Sequence, residues 1–296
     1  MTPLEEHVLG GRRLLLKRED AHELGSFKWR GALPTLEAYR ARGADTVITA
    51  STGNHGAATA WAGQRLGIRV VVFAAEDASR TKVETMERLG AEVRLAGSDF
   101  DEAKAEAERF AADVGVLFVD GLEREQYDGY SAIADEILAQ APETPAAVVV
   151  PVGNGALMGG IGIGVCRETP EVERIGVVAK AAPCMALSWE AGEPIDSESA
   201  DTFADGLAVR IAVPLALEVL GEVVSRMVQV SEREIAHAVG ALAEAGIRAE
   251  GAAAAALAAV PHLEDVGDPL VLVVTGRNID DELFTRAVEA PETFPD

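Results

Sequence analysis

The sequence predicts an α/β protein built on open, mostly parallel sheets with flanking helices. Three observations predict it. Short β-branched apolar runs alternate with helix-length stretches. Most of these runs are apolar nearly throughout instead of alternating, as strands covered on both faces are. Glycines stand where the intervening helices would end, at Gly67, Gly90, Gly115 and Gly246, where a left-handed cap belongs.

In chain order the expected strands are Thr46 to Ala50, Arg69 to Ala74, Glu92 to Leu95, Ala147 to Val150, Arg174 to Val178 and Leu270 to Val274. The clearest helices are Gly56 to Leu66, Arg80 to Leu89, Asp99 to Val114, Tyr130 to Gln140, Pro214 to Leu220 and Glu232 to Ala245. The repeated pattern in ‘RLGIRVVVFA’ and ‘RLGAEVRLAG’ is explained by helix, cap and strand in succession. The run GAAAAALAAV at 251–260 is a strong helix former whose small side chains suit burial, and it is too short to span a bilayer.

The chain has 296 residues, 48% of them hydrophobic, enough for one large domain or two modest ones. Aspartate and glutamate number 49 against 26 lysines and arginines, a net charge of -23. Such a surface repels nucleic acid and anionic membranes, so small molecules are the expected partners, and local backbone donors can still build a positive pocket. The charge is compatible with a salt-rich cell interior, although an ordinary acidic cytosolic enzyme is the simpler reading. Cys166 and Cys184 lack metal-site spacing and are expected to be free; no metal site is expected. The start, MTPLEEHVLGGRR, has acids where a signal peptide needs a basic and then an apolar region, so a cytoplasmic location is expected.

Four stretches could carry chemistry. In ‘LLLKREDAHELGSFKWRGA’, Lys28 follows a glycine-serine pair at what reads as a turn entering a helix, with Ser26 as its possible cap. A lysine there is ordinarily solvated, but in a partly apolar or electropositive pocket it loses its proton and forms an imine with an aldehyde. In ‘TASTGNHGAATAWAG’, Ser51 to His55 should lie on the loop at the carboxyl end of a strand, the ligand-facing edge of a parallel sheet. Loop amides and the helix start suit a carboxylate, and Asn54 offers both donor and acceptor; a polar cap with no ligand is the alternative.

In ‘VVVPVGNGALMGGIGIG’, a strand runs into Gly153, Asn154, Gly155, Ala156 and Leu157. Successive N–H groups there can surround a phosphate, or the glycines simply make a tight turn. The glycine-lysine-serine ending of a P-loop and the GxGxxG spacing of a dinucleotide site are both absent. In ‘LVLVVTGRNIDD’, Thr275 ends an apolar strand, where its hydroxyl either caps the strand or meets a pyridine nitrogen without requiring that nitrogen to be charged.

Together with the ‘TPL’ start, ‘KRED’, ‘GSFKWRGA’, ‘STGNHG’, ‘PVGNGALMGG’, ‘ADGLAV’ and ‘TGRNID’, these stretches resemble the fold-type II pyridoxal-phosphate enzymes, in the threonine/serine dehydratase and serine racemase branch. The resemblance runs from residue 2 to residue 281. It implies a two-domain, tryptophan synthase β-like fold, with a larger domain from 1–45 and 123–296 and a smaller one inserted at 46–122. It also implies pyridoxal 5'-phosphate as cofactor and a homodimer.

The resemblance gives each stretch a role. Lys28 holds the cofactor and takes the α-proton. Gly153, Asn154, Gly155, Ala156 and Leu157 hold the phosphate, Asn54 touches the ring oxygen and Thr275 the ring nitrogen. Ser51, Thr52, Asn54 and His55 bind the carboxylate of a small amino acid, and Asp205 in ‘ADGLAV’ shapes the pocket for its β-group. The implied reaction is deaminating dehydration of L-threonine or L-serine to a 2-keto acid and ammonia. Elimination or replacement on another β-substituted amino acid, a threonine synthase-like reaction and racemisation are the alternatives.

The chain departs from the family pattern in places. Thr52 stands where racemases commonly place a serine, and its extra methyl makes racemisation the less favoured outcome. Thr275 replaces the serine common in dehydratases, and Ala156 replaces a fourth glycine. ‘VVAKAAPCM’ has Ala179 and Lys180 where dehydratases often carry an acid for a cation. Glu250 matches a family glutamate or only caps its helix. The chain stops soon after ‘TGRNID’, leaving no room for the regulatory domain of biosynthetic threonine dehydratases, so control by isoleucine is not expected.

Overall fold

The computed structural model describes residues Met1–Asp296. In chain order the elements begin with β1 (Leu4–Leu9), β2 (Arg12–Arg18), α1 (Trp29–Ala41), β3 (Thr46–Ala50), α2 (Asn54–Leu66), β4 (Arg69–Ala74) and α3 (Arg80–Arg88). They continue with β5 (Glu92–Leu95), α4 (Phe100–Val114), β6 (Leu117–Val119), α5 (Arg124–Gln140), β7 (Ala147–Pro151), α6 (Ala156–Glu168) and β8 (Glu173–Ala179). The last are α7 (Cys184–Ala191), α8 (Pro214–Val223), β9 (Arg226–Val230), α9 (Glu232–Glu244), α10 (Gly251–Ala258), β10 (Leu270–Val274) and α11 (Asp281–Glu289). The chain divides into two compact units, one of Met1–Phe27 with Tyr130–Asp296 and one of Lys28–Gly129.

The larger unit holds a six-stranded sheet in the order β1-β2-β10-β7-β8-β9. Only β1 runs antiparallel; β2, β10, β7, β8 and β9 pair in parallel. β7 and β10 are buried at every residue, which accounts for their uninterrupted apolar sequence. Leu14, Leu16, Val149, Val177 and Leu272 pack with Ile235 and Val239 of α9 and with the alanines of α10. The small side chains of α10 let neighbouring backbone come close: Cβ atoms on Gly251 and Gly206 would lie 2.9 Å from the Phe203 ring and the Ala252 methyl respectively.

The smaller unit holds a four-stranded, fully parallel sheet in the order β5-β4-β3-β6. Ile48, Ala50, Val71 and Phe73 pack against Ala107 and Ala111 of α4. At the start of α2 a Cβ on Gly56 would meet Ser51, Val72 and the sulfur of Met86, so the helix sits on the strand ends only because that side chain is missing.

In each sheet the parallel strands deliver their following loops to one edge. In the larger unit these are residues 153–157 after β7, Lys180 after β8, Ser231 after β9 and Thr275 after β10. In the smaller unit Ser51 follows β3 and Asp120 follows β6.

Three local expectations are corrected. Ser26 does not cap α1, which starts at Trp29 behind Lys28 with no side-chain cap; Ser26 instead bridges Gly276. Asn54 and His55 belong to the first turn of α2 and not to the preceding loop, because the chain turns at Gly53. α5 begins at Arg124, ahead of Tyr130: its polar, glycine-bearing first turns lack the apolar period that marks a helix in sequence. No helix is long and apolar enough to cross a membrane.

Candidate active site

The smaller unit carries Lys28, Ser51, Thr52, Asn54 and His55. β3 hands over to α2 through Ser51, whose N–H continues the strand ladder to the Phe73 carbonyl at 2.9 Å and whose Oγ accepts from the Gly53 N–H at 3.1 Å. That bond turns the chain, and α2 starts at Asn54. The first N–H groups of a helix have no intrahelical acceptor and collect its partial positive charge. A carboxylate is the kind of group such a terminus receives.

The His55 ring has one tautomer consistent with its contacts. Thr49 Oγ1 lies 2.6 Å from the Val119 carbonyl oxygen, an acceptor only, so the threonine proton is there. His55 Nε2, 3.0 Å from the same Oγ1 and 3.5 Å from the same carbonyl, must then donate, leaving Nδ1 as the bare acceptor. Although the residue as a whole is only partly buried, desolvation of the ring pulls its pKa down to about 4, and the nearby charge of Lys28 pushes the same way. His55 is therefore neutral. Its ring ties the start of α2 to β3 and β6 and brings no charge to an anion.

Lys28 is the N-cap residue of α1, and its carbonyl accepts from the N–H groups of Gly31 and Ala32. Its side chain is partly buried, as is Thr52.

The larger unit carries residues 153–157, Thr275, Asp205, Glu250 and Lys180. Gly153 has no room for a side chain: a Cβ there would overlap the Gly206 carbonyl oxygen. Gly155 caps α6 with φ +93°, and a Cβ on it would come within 3.0 Å of Ala216 and Leu220. Two glycines thus leave a bare backbone turn feeding the first turn of α6, where Ala156 and Leu157 are buried. The Ala156 N–H is held by Asn154 Oδ1 at 3.2 Å, which stiffens the turn from within.

Thr275 is 2% exposed and its hydroxyl has no hydrogen-bond partner. A buried hydroxyl left unmatched is costly, so this one points to a group that the protein receives from outside. Behind it, the Glu250 N–H donates to the Gly276 carbonyl at 3.0 Å, and Glu250 Oε2 accepts from the Asn278 N–H at 3.2 Å. A Cβ on Gly276 would lie 2.6 Å from Glu250 Oε1. Glu250 braces the turn after Thr275 and, although it is the N-cap residue of α10, makes no side-chain cap bond to that helix.

Asp205 is exposed and opens a short 3-10 turn, Asp205–Leu207. Lys180 donates its N–H to the Val230 carbonyl, and its half-exposed ammonium lies 3.8 Å from Glu234. Ala179 is buried at the end of β8. Both cysteines are free.

Sequence reasoning missed Thr49, the relay that fixes the His55 tautomer, and Glu232, which holds the segment ahead of Asp205. A threonine within a strand and a glutamate opening a helix are ordinary in those places, and only their distant partners distinguish them. Gly206 was within reach as the glycine of ‘ADGLAV’.

A family model described as “Pyridoxal-phosphate dependent enzyme” matches residues 1–276. The L-threonine ammonia-lyase of Thermotoga maritima is 37% identical over 288 residues, covering 95% of this chain and 71% of the relative. The processed form of threonine deaminase isoform 2 from Solanum lycopersicum superposes with a TM-score of 0.91 at 29% identity, over 97% of this chain and 87% of that one. A pyridoxal 5'-phosphate-dependent aspartate racemase superposes at 0.87 with 26% identity, over 95% and 91%.

Proposed function

The chain belongs to the pyridoxal-phosphate dependent enzymes, of fold type II and the branch that holds threonine/serine dehydratases and racemases, and from that premise we propose that it eliminates water from L-threonine or L-serine, giving a 2-keto acid and ammonia. Its cofactor is pyridoxal 5'-phosphate, which when bound draws off the negative charge left at Cα after a proton is removed.

The residues present fit that group. The bare turn at 153–157 offers backbone donors and a helix start to the phosphate, and the orphaned Thr275 hydroxyl is a neutral partner for the ring nitrogen. Lys28 Nζ is the point of attachment and, once freed, the base that takes the Cα proton. Asn54 faces the ring oxygen in this reading. The first turn of α2, with Ser51 and Thr52, orients the substrate carboxylate through backbone N–H groups, since the His55 ring is neutral and bonded elsewhere. In this reading Asp205 shapes the pocket for the β-hydroxyl.

Thr275 is the observation that carries elimination. The Thr275 hydroxyl would meet the ring nitrogen without requiring it to be charged, where a carboxylate would hold a proton on it. With only a hydroxyl beside the ring nitrogen, the chain would give less support to a long-lived charge at Cα, which would favour prompt loss of a β-substituent. Racemisation is the second reading, favoured by the Thr52 hydroxyl at the carboxylate end and by the likeness to an aspartate racemase; the threonine methyl and its stiff rotamer weigh against it.

The test is a panel of L- and D-serine, L- and D-threonine and other β-substituted amino acids, following 2-keto acid, ammonia and enantiomer ratio. Equimolar keto acid and ammonia from L-threonine or L-serine is the expected result. Loss of optical activity without ammonia would replace elimination by racemisation.

A further inference from the structure

Glu232 is buried to 5% exposure at the first position of α9, where a carboxylate ordinarily stays in water beside the positive helix end. α9 does not need it as a cap, because Ser231 and Glu234 already form a reciprocal capping box with bonds of 3.2 and 2.6 Å. The hydrogen bonds of Glu232 Oε2 leave the helix. Its Oε2 accepts from Thr202 Oγ1 and from the Phe203 N–H, each at 3.0 Å, and Thr202 Oγ1 in turn accepts from the Ala204 N–H at 3.1 Å. Oε1 is buried without a partner. Burial raises the pKa of the carboxyl, while the donors at Phe203 and Thr202 pull it back.

The segment held in this way leads directly to the cradle. Ala204 accepts from the Leu207 N–H at 2.7 Å, closing the turn that presents Gly206, and the Gly206 carbonyl fills the space that a Gly153 side chain would take. From the other side Gly251, lacking a side chain, admits the Phe203 ring and Ala204. A buried carboxyl with one unmatched oxygen is a poor stabiliser of a helix start; it is a good way to fix three successive residues from a single atom.

We propose that Glu232 is a positioning residue for the cofactor phosphate, acting through Thr202–Ala204 and the Gly206 carbonyl to set the turn at Gly153. The proposal rests on the reading of residues 153–157 as the phosphate cradle. Glu232 touches neither cofactor nor substrate.

The whole chain, loaded with pyridoxal 5'-phosphate or with pyridoxal, which lacks the phosphate, is diluted and release is followed by loss of the bound-cofactor absorbance. Glu232→Ala and Thr202→Val are each expected to weaken the phosphorylated cofactor on the order of tenfold, with little change for pyridoxal, and the double variant is expected to lose no more than Glu232→Ala alone. Glu232→Gln keeps an acceptor for both donors and stays within about twofold of the parent. Equal losses for both cofactor forms, or additive losses in the double variant, overturn the proposal and leave Glu232 a packing residue. A parent chain that binds pyridoxal as tightly as pyridoxal 5'-phosphate removes the cradle reading itself, and the proposal with it.

Discussion

The backbone N–H of Phe27 donates to the carbonyl oxygen of Thr275 at 3.0 Å, joining two segments from opposite ends of the chain. The bond belongs to a longer seam. Ser26 bridges Gly276, the Arg277 N–H donates to the Gly25 carbonyl at 2.9 Å, Asn278 Nδ2 donates to the Leu24 carbonyl at 2.8 Å, and Arg277 Nη1 reaches the Asp20 carbonyl at 2.5 Å. Gly25 sits at φ +66° with Asn278 Oδ1 2.6 Å from where a Cβ would be, so only glycine suits that turn. Lys28 follows Phe27 by one peptide bond. The turn that carries the Thr275 hydroxyl therefore also fixes the backbone leading into Lys28, the proposed point of cofactor attachment, and so joins ‘GSFKWRGA’ to ‘TGRNID’.

Thr275→Val separates the two states of the protein. The hydroxyl has no partner in the chain itself, and an unmatched buried hydroxyl costs about 1–3 kcal/mol. The cofactor-free variant is expected to melt at the same temperature as the parent or higher. With cofactor, the variant would lack the proposed bond to the ring nitrogen, and its affinity should fall by roughly five- to tenfold. Calorimetry of both forms checks this; a cofactor-free variant less stable than the parent would show that the hydroxyl already has a partner.

In the proposed mechanism Lys28 is both the attachment point and the base, so Lys28→Ala should reduce turnover by about 10³-fold or more. The fold should survive, because α1 begins at Trp29 and takes no side-chain cap from Lys28. Circular dichroism and the visible spectrum of the bound cofactor are the two measurements: unchanged secondary structure with loss of the lysine-dependent band is the expected pair. A variant that retains both the band and turnover would move the cofactor to another lysine.

Parallel strands such as β7 and β10 were legible because burial on both faces leaves an apolar record. β1, β2 and the parallel strands β6 and β9 were not. β1 is partly exposed along its length, and β2 includes Lys17, whose charge argues against a buried strand until its ammonium is found 2.7 Å from Glu136 and from the Thr2 carbonyl. The same division holds at the site. Glycine turns and the hydroxyl at a strand end announce themselves by local sequence, whereas Thr49 and Glu232 act through Val119 and Phe203, partners far away in the chain. Tertiary hydrogen bonds have no period to read.

His55 should show a single neutral tautomer. Nitrogen NMR of the cofactor-free chain is expected to find the proton on Nε2 and to follow no protonation until the pH nears 4. The folded-state pKa lies below the ordinary histidine value of 6.5, so the unfolded chain binds the extra proton first. Stability from this residue is complete above about pH 6.5 and falls as pH drops toward 4, by roughly 1.4 kcal/mol per unit at most. Lys28→Ala should raise the His55 value only part of the way, since burial is the larger cause. A proton found on Nδ1 would reverse the assignment of the Thr49 hydroxyl.

The net charge of -23 makes the folded chain salt-dependent. Positive charge is sparse: lysine is confined to Lys17, Lys28, Lys82, Lys104 and Lys180, and Lys17 is spent inside on Glu136. Exposed ion pairs such as Arg80 with Glu84 or Arg226 with Asp265 contribute little each and weaken as salt rises. Repulsion among the surplus carboxylates acts over the whole surface, and screening relieves it as the Debye length shrinks from about 10 Å at 0.1 M to about 3 Å at 1 M. The ion pairs are mostly exposed and individually weak, so with 49 acids against 26 bases the melting temperature is expected to rise by roughly 5 °C or more between 0.1 and 1 M potassium chloride. A chloride salt is the right choice because sulfate would strengthen apolar burial in any protein. A melting temperature that stays flat or falls would mean that the ion pairs outweigh the net charge.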